Sequence, residues 1–165
     1  MVFLDTTVLL LLLDPNAKPP LDPGTGKPLD RCRERVECLV SNFEKTKTIA
    51  LIPTPVLCEV LVRAPNRDEI VDCLHKASVF EVGDFDAAAA IETAELIKAG
   101  LSIGGPTLEG KARAKFDAQI LGIAKAKRVT AIYTDDVRLA RQAVANGITA
   151  IATPDIPLPP QRSLL

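Results

Sequence analysis

The sequence predicts an α/β fold of three layers, in which helices cover both faces of a central five-stranded parallel sheet. Short apolar runs rich in β-branched residues alternate along the chain with segments of helical periodicity, which is typical of such a sheet. The chain has 165 residues, of which 47% are hydrophobic and 25% are charged, a composition typical of one globular domain.

The N-terminal elements begin with a strand at Val2–Leu4, whose apolar continuation enters a helix. From 31 to 45 the apolar side chains recur at helical spacing, which predicts a helix with one buried face. A second strand is expected at Ile49–Ile52. Thr54 is the expected N-cap of the next helix, because Pro55 fits the first helical position, where no N–H is needed.

The remaining elements continue this alternation. The expected helices are 68–76, 85–99, 115–127 and 137–146, and the expected strands are 79–82, 129–133 and 148–151. Glycines follow two of these helices and are expected to end them, at Gly100 and Gly147. Residues 100–110 contain four glycines and predict a mobile connection.

The chain is expected to form one domain over residues 1–152, with a proline-rich insertion at 14–29 and a proline-rich tail at 153–165. The apolar N-terminal run does not match a signal peptide, because it lacks a basic start and contains Asp5. No segment approaches the ~20 apolar residues of a membrane span, so no membrane partner is expected. These features predict a cytoplasmic protein.

Composition excludes several functional classes. The net charge of −1 excludes a polycationic nucleic-acid binder, so RNA would have to be held by a local basic patch. The one histidine, His75, stands in no catalytic-triad or nucleophile-elbow pattern. The four cysteines form no C-x-x-C pair, which argues against structural zinc, and they are expected to be reduced, buried thiols.

Four isolated acidic positions are the candidates for chemistry. Asp5 follows the first strand and Asp135-Asp136 follows the fourth, at the carboxyl edge of a parallel sheet, where ligands bind. Glu59 and Asp117 lie on helices with apolar neighbours, where an uncompensated carboxylate is costly. Each acid alone also has a structural explanation, since aspartate caps helices and a buried acid can pair with arginine.

The four acids as a set predict a site for a hard divalent cation. Mg²⁺ or Mn²⁺ prefers carboxylate oxygens and takes further ligands from water and phosphate. Thr7 and Thr134 are candidates for hydrogen bonds to these carboxylates or to the water around the ion. Either Asp135 or Asp136 is expected to be the fourth ligand, and the other to cap the following helix.

A basic segment surrounds one of these acids. Residues 111–128 contain six basic side chains and one acidic side chain. Lys111, Arg113 and Lys115 are therefore candidates for RNA phosphate contacts at the rim of an acidic pocket, and Arg63 and Arg67 are weaker candidates. The alternative is a solvated helix face that binds no ligand.

These motifs resemble the PIN domain, and among PIN proteins the VapC-type toxin ribonucleases of prokaryotic toxin–antitoxin pairs. The matching residues are Asp5-Thr6-Thr7, Glu59 in IPTPVLCEVL, Asp117 in KFDAQILGIAKA, and Thr134-Asp135-Asp136. The resemblance spans about residues 1–152. It implies that strands one and four are neighbours and that the metal is held by Asp5, Glu59, Asp117 and Asp136. It favours Asp136 over Asp135, because the family's acid comes two residues after the threonine.

The resemblance also implies an activity. The chain would be a Mg²⁺- or Mn²⁺-dependent endoribonuclease with one or two ions, leaving 5′-phosphate and 3′-hydroxyl ends. Asp117 would orient or deprotonate the attacking water. Beside RNA, its partners would be a small antitoxin protein and a second copy of the chain in a homodimer. The insertion at 14–29 and the tail at 153–165 depart from the family pattern.

Two alternatives belong to other functional classes. A PIN fold can serve as a binding or scaffold module without turnover, although all four acids are present here. A receiver-type phosphoacceptor domain also binds Mg²⁺ at strand ends. It requires an acidic pair after the first strand, however, where this chain has Asp5 followed by two threonines.

Overall fold

The computed structural model describes residues 1–99 and 108–159, without the side chains of residues 108 and 109. The strands are β1 (Val2–Leu4), β2 (Ala50–Pro53), β3 (Phe80–Gly83), β4 (Ala131–Tyr133) and β5 (Thr149–Ile151). The helices are α1 (Thr6–Leu13), α2 (Cys32–Thr46), α3 (Thr54–Arg63), α4 (Arg67–Lys76), α5 (Ala87–Lys98), α6 (Leu108–Ala126) and α7 (Val137–Ala145), and a 3₁₀ turn (Thr153–Asp155) follows β5.

The strands form one parallel five-stranded sheet in the order β3-β2-β1-β4-β5. At its centre, Phe3 is in register with Leu51 of β2 and with Ile132 of β4. The predicted fold class and the predicted neighbouring of strands one and four are confirmed. A doubly wound receiver-type sheet has the order 2-1-3-4-5, so the observed order contradicts that alternative.

The direction of winding reverses between β1 and β4. The chain runs outward from β1 to β3 on one side, then returns to β4 and continues to β5 on the other. Because crossovers between parallel strands are right-handed, the two halves place their helices on opposite faces of the sheet. β1 and β2 are accordingly buried along their whole length. The crevice at the reversal is the position where open α/β sheets bind ligands.

The packing of the chain continues past residue 152 into the start of the predicted tail. Ile156 is 1% exposed and belongs to the hydrophobic core. The Arg35 guanidinium on α2 donates to the carbonyls of Pro154 and Ile156, which fastens the start of the tail to the helix layer. The insertion at 14–29 is a loop, as predicted, and contains an isolated bridge between Leu21 and Pro28.

Two helix starts differ from the prediction. α6 begins at Leu108, whereas Lys115 was the expected start, because one glycine at position 110 does not prevent a helix among good helix formers. The rest of the expected connection, residues 100–107, lies outside the described residues. Thr54 lies inside α3, whose N-cap is Pro53 and has no side-chain hydrogen bond.

The expectation of buried thiols is wrong. The cysteines are free, but Cys58 and Cys73 are exposed, and Cys32 and Cys38 are only partly buried. Their helices bury other residues against the sheet, such as Val56 and Val60 on α3. In the part of the chain that the structure describes, no helix has the length and apolarity needed to cross a membrane.

Candidate active site

Asp5 is held rigidly at the centre of the sheet's carboxyl edge. Its backbone N–H donates to the carbonyl of Tyr133 on β4, at 3.0 Å. Its Oδ1 accepts from the Thr6 N–H at 2.8 Å, which makes Asp5 the N-cap of α1. Its Oδ2 accepts from the Thr134 hydroxyl at 2.6 Å, the hydrogen bond predicted for Thr134. Both carboxylate oxygens of this buried residue therefore have fixed directions.

Glu59 approaches the same place from α3. The Thr6 hydroxyl donates to its Oε2 at 2.7 Å, so Thr6 links Asp5 to Glu59 through two different atoms. Its Oε1 lies 2.5 Å from Nη2 of Arg63, one turn later on the same helix. Sequence reasoning named Thr7 and missed Thr6. The cap geometry of Asp5 was the available signal, since it places the next residue's N–H on the carboxylate.

Asp117 is a buried carboxylate on α6. Its Oδ2 lies 2.7 Å from Nη2 of Arg138, on the first turn of α7. The contact is ionic but is not aligned as a hydrogen bond, and Oδ2 has no hydrogen-bond partner among the described residues. Sequence reasoning missed Arg138, because this pair joins two helices and has no signature in sequence spacing.

Asp136 both caps a helix and faces the site. Its Oδ1 accepts from the N–H groups of Arg138 at 2.8 Å and Leu139 at 3.2 Å, at the start of α7. Its Oδ2 accepts from Nη2 of Arg113 at 2.8 Å. Asp136 is therefore the helix cap of the two alternatives, and its second oxygen is directed away from the helix, toward Arg113.

Asp135 lies outside the site. Its two oxygens accept from the N–H and the hydroxyl of Thr153, at 2.8 and 2.7 Å. Successive residues of an extended chain point to opposite sides, so Asp135 turns to the start of the tail while Asp136 turns inward. The structure thus separates two residues that the sequence left as alternatives.

One cavity of about 560 Å³ brings the four acids together at the winding reversal. The acids and cations that line it are Asp5, Glu59, Asp117, Asp136, Arg63 and Arg113, and Thr7 is also at its wall. Its apolar wall includes Phe116, Ile120 and Leu139. Lys111 and Lys115 are exposed on α6 and do not line the cavity, so Arg113 alone of the three predicted RNA contacts reaches it.

Burial raises the pKa of two of the acids. For Asp117, burial outweighs the attraction of Arg138, and the pKa rises to about 6. For Asp5, burial raises the pKa, and the charges of Glu59 and Asp136 add to it, while the hydrogen bond from Thr134 opposes the shift. Protons therefore compete with cations for these two carboxylates.

Asp136 has the opposite shift. Burial alone would raise its pKa, but the hydrogen bonds from the Leu139 and Arg138 N–H groups, together with Arg113, hold the pKa below its ordinary value. Asp136 is consequently ionised across the neutral range, as its position at the positive end of a helix also favours.

The donor set fits a hard divalent cation, since it consists of carboxylate and hydroxyl oxygens and includes the unsatisfied Oδ2 of Asp117. The acids are not, however, arranged as a ready-made cage. Within residues 1–99 and 108–159, no three His, Cys, Asp or Glu side chains form a group that could hold an ion. Instead, arginines occupy three of the four carboxylates.

Solved structures from three bacteria are similar to this chain. A chain of the crystal structure of VapBC2 from Rickettsia felis bound to a DNA fragment from their promoter has a TM-score of 0.57 and 16% identity, covering 92% of this chain and 98% of that one. DNA-bound VapBC from Salmonella typhimurium has a TM-score of 0.52 and 19% identity, with coverages of 93% and 99%.

The third is Mycobacterium tuberculosis VapC20, a sarcin–ricin loop cleaving toxin, with a TM-score of 0.53 and 14% identity, covering 90% of this chain and 97% of that one. No protein-family profile matches the sequence, and no curated protein matches it significantly. The likeness to each of the three structures covers at least 90% of this chain. The protein therefore has the PIN-like fold of the VapC toxin structures.

Proposed function

We propose that the protein is a divalent-metal-dependent endoribonuclease, which hydrolyses RNA phosphodiester bonds and leaves 5′-phosphate and 3′-hydroxyl ends. One observation carries the proposal. Four acids that are far apart in the sequence line one cavity at the winding reversal of a parallel sheet. Acids brought together in this way repel one another unless cations are present, and carboxylates at a phosphate-sized cleft are typical of metal-assisted hydrolysis.

The ions would be Mg²⁺ or Mn²⁺, one or two in number. Asp5, Glu59, Asp117 and Asp136 would hold them. A divalent ion bound there supplies Lewis acidity toward phosphate and water. Thr134 keeps Oδ2 of Asp5 in a fixed direction, so the first ligand needs little reorganisation.

Asp117 is the residue best placed to accept a proton. Its Oδ2 is buried and forms no aligned hydrogen bond among the described residues, although Nη2 of Arg138 lies 2.7 Å away. A pKa of about 6 leaves it ionised at neutral pH and more basic than an ordinary aspartate. In the proposed reaction, Asp117 orients the attacking water and takes its proton as the oxygen bonds to phosphorus. The bond between phosphorus and the 3′-oxygen breaks, and the 3′-oxygen takes a proton from water to become the 3′-hydroxyl.

RNA would enter at the side where Arg113 and Arg63 stand. Both guanidinium groups line the cavity, and both are exposed enough to reach a phosphate outside it. Arginine binds phosphate with two parallel N–H donors, which positions a strand without reading its bases. Lys111 and Lys115 would extend this surface along α6.

The fold likeness supports a biological setting. Two of the similar structures are VapBC assemblies, and the third is a VapC toxin. We infer that this protein is the toxin of a type II toxin–antitoxin pair in the cytoplasm, with a small antitoxin protein as a partner and a homodimer as its own assembly.

Cleavage of a mixed pool of structured and single-stranded RNA tests the proposal. The purified protein should cut the pool with Mg²⁺ or Mn²⁺, stop in EDTA, and leave 5′-phosphate ends. The Asp5→Asn and Asp136→Asn variants should lose activity by on the order of a hundredfold or more. Asp135→Asn is the matched control, since its carboxylate faces Thr153 and lies outside the cavity.

Two outcomes would contradict the proposal. Cleavage that continues in EDTA or in Asp5→Asn would mean that the acids do not perform the reaction. Folded protein that cuts no RNA with either metal would favour the scaffold alternative, which the arginine-paired state of three acids also fits.

A further inference from the structure

Arginines of the chain itself neutralise three acids of the cavity, and the three pairs are not equivalent. Arg63 contacts Glu59, Arg113 contacts Asp136, and Arg138 contacts Asp117. We propose that Arg63 and Arg113 are exchangeable counter-ions, which a divalent cation displaces and which then bind RNA phosphates at the mouth of the cavity. Arg138 stays on its acid throughout. This inference rests on the proposed function.

The two exchangeable arginines share a position and an exposure. Both line the cavity, so a cation that enters would meet them directly. Their side chains are 57% and 68% exposed, respectively, and each contacts its acid through Nη2. Exposed ion pairs contribute little to stability, because solvent and salt screen them and the long side chains lose freedom. A divalent ion can therefore replace these pairs at small cost to the fold.

Arg138 differs on each count. Its side chain is 34% exposed, its Nε and Nη2 are buried, and it does not line the cavity. Its acid, Asp117, is itself buried. Breaking a buried pair by moving one partner leaves an uncompensated charge and is strongly unfavourable. Arg138 thus neutralises Asp117 from outside the cavity, whereas Arg63 and Arg113 line the cavity in which the ion would bind.

The exchange couples the metal to the RNA. Without a cation, Arg63 and Arg113 are engaged by the acids and are poor phosphate ligands. Once the acids bind a cation, the same two guanidinium groups are released at the entrance with their charge unpaired. Arg63 and Arg113 would thus each bind two partners in succession, first a carboxylate and then a phosphate. Metal and RNA should therefore each increase the affinity for the other.

Arginine side-chain NMR tests the displacement directly. Protein labelled with ¹⁵N-arginine is titrated with Mg²⁺, and the Nε–H signals are assigned with the Arg63→Gln, Arg113→Gln and Arg138→Gln variants. Relaxation measurements should show that Arg63 and Arg113 become more mobile with Mg²⁺, while Arg138 keeps its rigidity. If Arg63 and Arg113 stay as rigid with the ion bound as without it, the exchange does not occur.

Mn²⁺ binding, followed by the EPR signal of the free ion, gives a second readout without RNA. Arg63→Gln and Arg113→Gln should each bind Mn²⁺ about two- to fivefold more tightly than the original protein, because a competitor has been removed. Arg141→Gln removes the same charge from an exposed position on α7 outside the cavity, and should leave Mn²⁺ binding unchanged.

RNA binding should move in the opposite direction. With Mn²⁺ present, stopped-flow fluorescence separates binding of a short RNA from slower cleavage. Arg63→Gln and Arg113→Gln should weaken that binding and each reduce its salt dependence by about one released counter-ion, whereas Arg141→Gln should not. Tighter metal binding combined with weaker RNA binding is the signature of exchange.

The outcomes separate the two proposals. If the original protein and all variants, including the Arg63→Gln/Arg113→Gln double variant, bind no Mn²⁺, the proposed nuclease function fails and the exchange fails with it. If the original protein binds Mn²⁺ but the two variants behave like Arg141→Gln, the exchange alone is overturned. Metal binding by the double variant that exceeds the original protein supports the exchange.

Discussion

The proposed reaction needs the ionised form of Asp117, and burial makes this form unfavourable for the folded protein. The interior disfavours its charge even with Arg138 alongside, and its pKa rises from 3.8 to about 6. The folded protein therefore holds this proton more tightly than the unfolded chain does. The proton bound to Asp117 therefore stabilises the folded protein relative to the unfolded chain by about 3 kcal/mol at most. This stabilisation is fully present below about pH 4 and is lost as the pH rises through about 6.

Asparagine at this position should remove that pH dependence. In EDTA, we expect the thermal unfolding temperature of Asp117→Asn, measured relative to that of the original protein, to rise as the pH increases from 4 to 8. The physical reason is that the amide stays neutral where the buried carboxylate must ionise. Unfolding curves followed by circular dichroism across this pH range check the prediction. A difference between the two proteins that is constant with pH would contradict it.

The four acids could be predicted from the sequence for a clear physical reason. A carboxylate at a strand end or among apolar neighbours, such as Glu59, is conspicuous in the chain itself. Their partners were less accessible. Thr6 and Arg138 act through contacts between separate elements, and such contacts follow from packing, which sequence spacing does not encode.

At the scale of elements, α5 and α6 approach each other at Gly122. A Cβ atom added there would lie 2.0 Å from the Thr93 hydroxyl oxygen and 2.7 Å from the carbonyl oxygen of Ala89. The Thr93 hydroxyl itself bonds to the carbonyls of Ala89 and Ala118, so it cannot turn away without losing these bonds. The glycine therefore sets the distance between the two helices, one of which carries Asp117.

Gly122→Ala should destabilise the protein although alanine is the better helix former. Helix propensity favours alanine by about 1 kcal/mol, whereas overpacking against a backbone carbonyl costs about 1–3 kcal/mol, so we expect a net loss. Urea unfolding measures the difference. Gly24→Ala is the control, because its added Cβ would make only an ordinary contact at 3.4 Å. A stabilised Gly122→Ala protein would show that the helices separate easily.

The strands were predictable because they are short and largely apolar and each contains at least one β-branched residue, which is typical of a parallel sheet. The ends of the helices were less predictable from the sequence. Residues 108–110 belong to α6, although their glycine indicated a loop, because a single glycine costs a helix only about 1 kcal/mol. The N-cap of α3 is Pro53, whose side chain makes no capping hydrogen bond and therefore gives no sequence signal for the start of the helix.

For the whole molecule, the described part of the tail, residues 153–159, packs against the rest of the structure. Ile156 lies in the core, and Thr153 joins the tail to Asp135. The sequence suggested a separate tail because four prolines interrupt any periodic pattern there. A single buried isoleucine outside the helices and strands produces no periodic pattern in the sequence.

Ile156→Ala should therefore destabilise the protein by about 2–5 kcal/mol, as large-to-small changes in a core do. Leu158→Ala, in the same tail, should change the stability by less than about 1 kcal/mol, because this leucine is 45% exposed. Thermal or urea unfolding of the two variants compares them. Equal effects would show that the tail does not pack as described.

The sheet order also determines when a growing chain can first assemble its cavity. β1 is made first but lies between β2 and β4, and Asp5 receives its hydroxyl partner from Thr134, 129 residues later. Domains fold as their parts leave the ribosome. A nascent or prematurely ended chain that stops before β4 already carries three of the acids, yet it lacks the Tyr133 carbonyl and the Thr134 hydroxyl that bond to Asp5. Translation must therefore be nearly complete before the cavity can form.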